Sequence, residues 1–175
     1  MNFFALFGLP ETYQIDNAKL ANVYQSLAKV THPDKFSNAG GQEKLMAVQK
    51  NAQINDGYQI LKNPLSRAEH MLELRGISLQ HETQTMQDPV FLMQQMEWRE
   101  QLSEIESAAE PEQVLTTLDE DVAIHTKQHF EALQELLEKQ TEEANNLAAA
   151  EVRKLKFLNK LHKEIELKED ALFDD

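Results

Sequence analysis

Val30-Thr31-His32-Pro33-Asp34-Lys35-Phe36 decides how the first part of this chain folds. Proline has no amide hydrogen and disfavours helical geometry in the residue before it, so a helix reaching this stretch ends near Thr31 or His32. Upstream, Leu20, Val23, Tyr24 and Leu27 fall on one helical stripe, and Asp16 stands where an N-cap belongs. Downstream, Gly40-Gly41 breaks the chain before a helical run from Gln42 to Lys62, which Asn63-Pro64 stops. The stretch therefore reads as a surface loop joining two antiparallel helices. At its tip an imidazole and a carboxylate flank a rigid ring, a preset shape for docking into another protein.

The rest of the chain is helical in the same way. There are 175 residues, enough for one or two domains, with only five Gly and five Pro and no alternating run of β-branched residues. Cysteine is absent, which excludes disulfides and thiolate metal sites and gives no sign of secretion. No apolar run reaches membrane-spanning length. Met1-Asn2-Phe3-Phe4-Ala5-Leu6-Phe7-Gly8 lacks the basic start of a signal peptide and the arginines of a transit peptide, so a cytoplasmic location without membrane attachment is expected. The net charge is −13, unevenly placed: residues 1–76 sum to +1 and residues 77–175 to −14. Such an acidic chain repels phosphate backbones, and nucleic acid is not an expected partner.

The charge step marks a boundary. Helical periodicity lapses through Gln80-His81-Glu82-Thr83-Gln84-Thr85, and Asp88-Pro89 restarts a helix with an N-cap followed by proline at the first helical position. The expected organisation is an N-terminal domain over 1–76, a linker over 77–88 and a three-helix bundle over 89–175. The bundle helices are expected from Asp88 to about Ala108, from Pro111 to about Glu143, and, after a turn near Asn145-Asn146, on to about Glu169. On the first of these, Phe91, Trp98, Leu102 and Ile105 form the core stripe at about 100° per residue, leaving Leu92, Met93 and Met96 outside it. Glu97, Glu100 and Glu104 project from the same side as Met93. A second apolar face edged with carboxylates suits a protein-docking surface, unless the N-terminal domain covers it or the helix is buried all round. On the last helix Leu147, Leu155, Leu158, Leu161 and Ile165 form the stripe. Phe157 lies at its margin, open either to core packing or to extending the apolar patch.

Other candidate chemistry is thin. His125 and His129 are four apart on the middle helix, a spacing able to hold a metal, but they lie on or beside the stripe of Leu118, Val122, Leu133 and Leu137 and have no evident partner ligand. They read as packed histidines, with a helical metalloprotein as the competing class. Asp119-Glu120-Asp121 reads as a solvated run. There is no phosphate loop and no nucleophile–base pair, so no catalytic residue and no cofactor is expected.

A histidine-proline-aspartate triplet is weak evidence alone, but the order short helix, long helix, loop, long helix, short helix around His32-Pro33-Asp34 resembles a J-domain, the module that stimulates ATP hydrolysis by DnaK-type chaperones. More specifically, the full chain resembles the HscB family of J-proteins, which serve bacterial iron–sulfur cluster assembly. The resemblance rests on Phe3-Phe4-Ala5-Leu6-Phe7-Gly8-Leu9-Pro10, His32-Pro33-Asp34-Lys35-Phe36, Ile54-Asn55 with Tyr58, Pro64-Leu65-Ser66-Arg67-Ala68-Glu69, Phe91-Leu92-Met93 with Arg99-Glu100, and Val152-Arg153-Lys154-Leu155 with Phe157-Leu158. It implies a non-enzymatic co-chaperone. His32, Pro33 and Asp34, with Lys35, Lys19 and Lys29, would contact the dedicated chaperone HscA. Leu92, Met93, Met96, Glu97, Glu100, Glu104 and Phe157 would bind the scaffold protein IscU. Met96 stands where the family commonly has leucine, a mild change in an apolar contact. The helix before the triplet departs further: it offers only Lys19 and Lys29 where J-domains usually carry a strongly basic face. A J-protein serving another client remains the alternative.

Overall fold

The structure, a computed structural model, describes residues 1–79 and 88–174, and among these every regular element is helical. The chain is all-α, and it divides into two compact units, Met1–Ile77 and Ser78–Asp175. The stretch 80–87, which makes up most of the expected linker, lies outside the described residues.

In the first unit, α1 (Phe3–Leu6), α2 (Asn17–Thr31), α3 (Gly41–Lys62) and α4 (Pro64–Leu74) surround a core of Phe4, Phe7, Leu20, Ile54, Leu61 and Leu72. Asp16 caps α2, its Oδ1 accepting from the amides of Ala18 and Lys19 at 3.0 and 3.1 Å. Pro33 ends α2 at Thr31. Antiparallel pairing of α2 with α3 stacks Tyr24 on Tyr58, ring centroids 4.1 Å apart, and lets the Tyr24 hydroxyl donate to Asn55 Oδ1 at 2.7 Å. The α3–α4 corner is tied by Arg67, whose buried guanidinium donates to the carbonyls of Leu61 (2.8 Å) and Tyr13 (2.7 Å). These bonds satisfy a helix-end carbonyl that would otherwise lack a partner.

The short helix α1 is held by two features. A Cβ on Gly57 would stand 2.6 Å from the Phe3 ring and 2.8 Å from the Phe7 ring, so glycine is what allows this close approach. On the other side, the Phe3 amide donates to Nε2 of the buried His70 at 3.0 Å, and the Phe4 ring stacks on the same imidazole. That bond requires a neutral ring. Desolvation is the main influence on His70 and holds its pKa below the usual 6.5, partly offset by Glu73. A base whose pKa is depressed by folding adds stability above its unfolded pKa, and that stability is lost as pH falls through the folded value. Thermal unfolding of the protein should therefore show a loss of stability on acidification below about pH 6.5, and H70Q should flatten this part of the profile. A slope unchanged in H70Q would assign it to other groups.

In the second unit, α5 (Pro89–Glu104) packs on a hairpin of α6 (Pro111–Lys139) and α7 (Glu142–Phe173). Following α6 backward from His129 to Asp119 moves the contacts forward along α7 from Glu151 to His162, the register of an antiparallel pair. The core is Phe91 and Trp98 from α5, Ile105 just past its end, Leu115, Leu118, Val122, Leu133 and Leu137 from α6, and Ala148, Ala149, Val152, Leu155, Leu158, Leu161 and Ile165 from α7.

Three expectations need correction here. The turn is not at Asn145-Asn146 but at Gln140-Thr141: Gln140 takes the left-handed conformation (φ 54°, ψ 31°) and Thr141 caps α7 through its hydroxyl to the Ala144 amide at 3.1 Å. Glu142 and Glu143 reinforce that start by facing the helix's positive end. Leu147, assigned to the core stripe, is 51% exposed, because the inward face of α7 runs through Ala144, Ala148, Ala149 and Val152 instead. Finally, α5 stops at Glu104 and closes with a 3-10 turn over Ile105–Ser107, while α7 continues to Phe173.

Candidate partner-docking sites

The tip of the α2–α3 hairpin is built from local bonds. His32 ends α2 and begins a 3-10 turn over Pro33–Phe36. Its Nδ1 accepts from the Asp34 amide at 3.2 Å, and its carbonyl accepts from the Lys35 amide at 3.1 Å. The Pro33 ring fixes φ in this turn, and Phe36 at its end is half-buried. The Asp34 carboxylate lies 3.5 Å from His32 Nδ1 and is 91% exposed, so it has little to do with folding. Lys35 lies in the same turn. Lys29 is in the last turn of α2 and Lys19 in its first, and all three lysines are exposed.

The second site is one side of α5. Asp88 starts this helix, its Oδ1 accepting from the Phe91 amide at 3.0 Å and its Oδ2 from Lys154 Nζ at 2.7 Å. The Lys154 hydrogen bond is the main reason the Asp88 carboxyl is held below its ordinary pKa. Farther along, Phe91, Trp98 and Ile105 turn inward. Leu92, Met93 and Met96 are 48%, 63% and 65% exposed, and Glu97, Glu100 and Glu104 are exposed on the same helix. The structure thus brings six of the seven candidate residues onto the solvent side of one helix.

Phe157, the seventh, is half-buried. Its ring stacks on Trp98 (6.4 Å between centroids), meets Phe91 edge-on (5.9 Å) and lies under the Arg99 guanidinium (5.3 Å to the centroid). Arg99 is ion-paired with Glu164 of α7. Phe157 therefore belongs to the aromatic wall behind α5, with one margin toward solvent. Sequence reasoning missed what braces this wall. Trp98 donates its indole N–H to Asp121 Oδ2 at 2.8 Å, so Asp121 is half-buried and not part of a solvated run. A buried tryptophan needs an acceptor, and that requirement could have pointed to an acid on the facing helix.

His125 and His129 do not converge on a common point. His125 Nδ1 lies 2.9 Å from the Asp121 carbonyl, and its ring meets Trp98 edge-on. His129 Nδ1 lies 2.5 Å from Glu151 Oε2, and its ring packs against Phe91. Among the described residues no group of three or more His, Cys, Asp or Glu side chains could hold a metal ion, and no helix is long and apolar enough to cross a membrane.

Known proteins match this architecture over its whole length. The family model for the HSCB C-terminal oligomerisation domain matches residues 87–166. A co-chaperone protein HscB homolog of Pseudoalteromonas atlantica is 59% identical over 99% of both chains. One from Shewanella baltica is 51% identical over 99% of this chain and all of its own. Among solved structures, the chaperone HscB from Vibrio cholerae superposes with a TM-score of 0.86 at 43% identity, covering 99% of this chain and 100% of that one. The human co-chaperone protein HscB gives 0.87 at 28% identity, covering 97% and 82%. With identity this high across nearly every residue, the chain belongs to the HscB family of co-chaperones.

Proposed function

We propose that this co-chaperone is a two-ended adaptor. The second unit captures the iron–sulfur scaffold protein IscU through α5, and the His32-Pro33-Asp34 tip engages the DnaK-type chaperone HscA and stimulates its ATP hydrolysis. Hydrolysis locks the chaperone on the scaffold and promotes cluster transfer to acceptor proteins; the adaptor catalyses no reaction of its own. The observation that carries this reading is the two-sidedness of α5, which buries Phe91 and Trp98 yet leaves Leu92, Met93 and Met96 in water. Three large apolar side chains grouped on the solvent side of one helix and edged by carboxylates form the kind of patch that suits a protein-docking surface. Glu97, Glu100 and Glu104 beside them select a partner with basic groups around an apolar patch. At the other end, an exposed carboxylate on a rigid turn suits a charge-assisted contact with a cationic group of the chaperone. The thin basic supply around it, Lys19, Lys29 and Lys35, points to an association that depends only modestly on salt.

Steady-state ATP hydrolysis by HscA tests both ends together. The protein alone should raise the rate, and adding IscU should raise it by more than the sum of the separate effects. Stimulation indifferent to IscU would leave a J-protein with a different client. No stimulation at all would remove the chaperone-activating role.

A further inference from the structure

The adaptor reading uses Met93 and Met96 only as apolar surface and leaves their sulfur without a role. Both side chains are exposed, at positions i and i+3 of α5; Met1 and Met46 of the first unit are exposed to a similar degree but lie apart from each other, whereas Met71 is buried. The chain has no cysteine, so no thiol of its own competes for an oxidant. The carboxylates of Glu97, Glu100 and Glu104 beside the pair discourage anionic oxidants but place no electrostatic barrier before an uncharged one.

We propose that Met93 and Met96 form a reversible oxidation site for hydrogen peroxide, and that its oxidation releases the scaffold from α5. The proposal rests on the reading of this face as the scaffold-docking surface. In each event a sulfur lone pair attacks one peroxide oxygen and the O–O bond breaks. The sulfur becomes a sulfoxide, oxidised by two electrons, and the second oxygen leaves as water with both hydrogens. Reversal needs two thiols from another molecule, which take the oxygen away as water and end as a disulfide. The sulfoxide replaces a flexible apolar group with a strong polar acceptor, which must lose its water when the scaffold covers the face and finds no donor among the apolar neighbours Leu92 and the second methionine.

The test uses the full-length protein treated with hydrogen peroxide, peptide mass spectrometry to place the added oxygen, and calorimetric titration with IscU. Oxygen should appear at Met93 and Met96 well before Met71, and pre-bound IscU should protect the pair. The Kd for IscU should rise about tenfold or more, the effect of burying an unpaired polar group. Methionine sulfoxide reductase with dithiothreitol should restore it. A Met93→Leu/Met96→Leu double variant, compared before and after peroxide against its own untreated sample, should show no change in Kd. Binding that survives conversion of both residues to sulfoxide would overturn the switch, as would a double variant as peroxide-sensitive as the parent. Failure of the untreated parent to bind IscU would instead overturn the docking assignment, and the switch with it.

Discussion

Asp34→Asn is expected to reduce the stimulation of HscA to its basal ATPase rate while leaving the fold intact. Asparagine matches aspartate in size, and the bond that shapes the turn runs from the residue-34 backbone amide to His32 Nδ1, which the substitution retains. What disappears is one negative charge on a carboxylate that is 91% exposed. Substitutions at such surface positions usually change stability by no more than about 0.5 kcal/mol. The loss of function is expected to be far larger, because a charge-assisted bond between a rigid carboxylate and a cationic partner loses both its charge and its acceptor strength. Steady-state ATPase measurements over a range of co-chaperone concentrations, paired with a thermal melt, decide the matter. Full stimulation by the variant would remove the tip from the mechanism, and a large fall in melting temperature would show that Asp34 has a structural task after all.

The second large effect lies on α5. Leu92→Ala should weaken IscU binding by about 2 kcal/mol, a roughly thirtyfold rise in Kd, if Leu92 is a central anchor of the interface. It is a cleaner probe than Phe157→Ala. Leu92 is about half exposed, whereas Phe157 touches Phe91, Trp98 and Arg99. Truncating Phe157 opens space in the aromatic wall and is expected to lower stability on the order of 2 kcal/mol as well as affinity. Calorimetric titration of both variants, each with its melting temperature, separates the two effects. Leu92→Ala binding IscU as tightly as the parent would place the docking surface elsewhere. Loss of binding in Leu92→Ala together with loss of scaffold-independent ATPase stimulation would indicate misfolding.

The features that could be read from sequence are those set by neighbours within one or two helical turns. Asp16 and Asp88 cap where they were expected, Pro33 ends its helix, and the inward and outward sides of α5 follow from the 3.6-residue repeat. What could not be read depends on residues far apart in the chain. Nothing local marks Gly57 as the place where two phenylalanine rings come to rest, or His70 as the acceptor for the Phe3 amide. The inward face of α7 was misjudged because leucines were weighted over alanines. The helix in fact buries Ala144, Ala148 and Ala149, where small side chains fit the packing, and turns Leu147 to solvent. The turn at Gln140 carries no glycine or asparagine to advertise a left-handed residue, and only Thr141 with the two glutamates after it hints at the new start. At the candidate sites the exposed residues were legible, but the bracing by Arg99, Asp121 and Lys154 was not, since each partner comes from another helix.

The chain contains one tryptophan, Trp98, and it is fully enclosed in the second unit, hydrogen-bonded to Asp121 and stacked with Phe157. Its emission is therefore a private optical channel for that unit, whereas circular dichroism in the far ultraviolet sums both. Denaturation followed by the two signals yields coincident curves only if the units melt as a single cooperative block. Separated midpoints would assign the fluorescence transition to the α5–α7 bundle and leave the remainder to the unit that carries His32-Pro33-Asp34, so each unit's stability can be measured without cutting the chain.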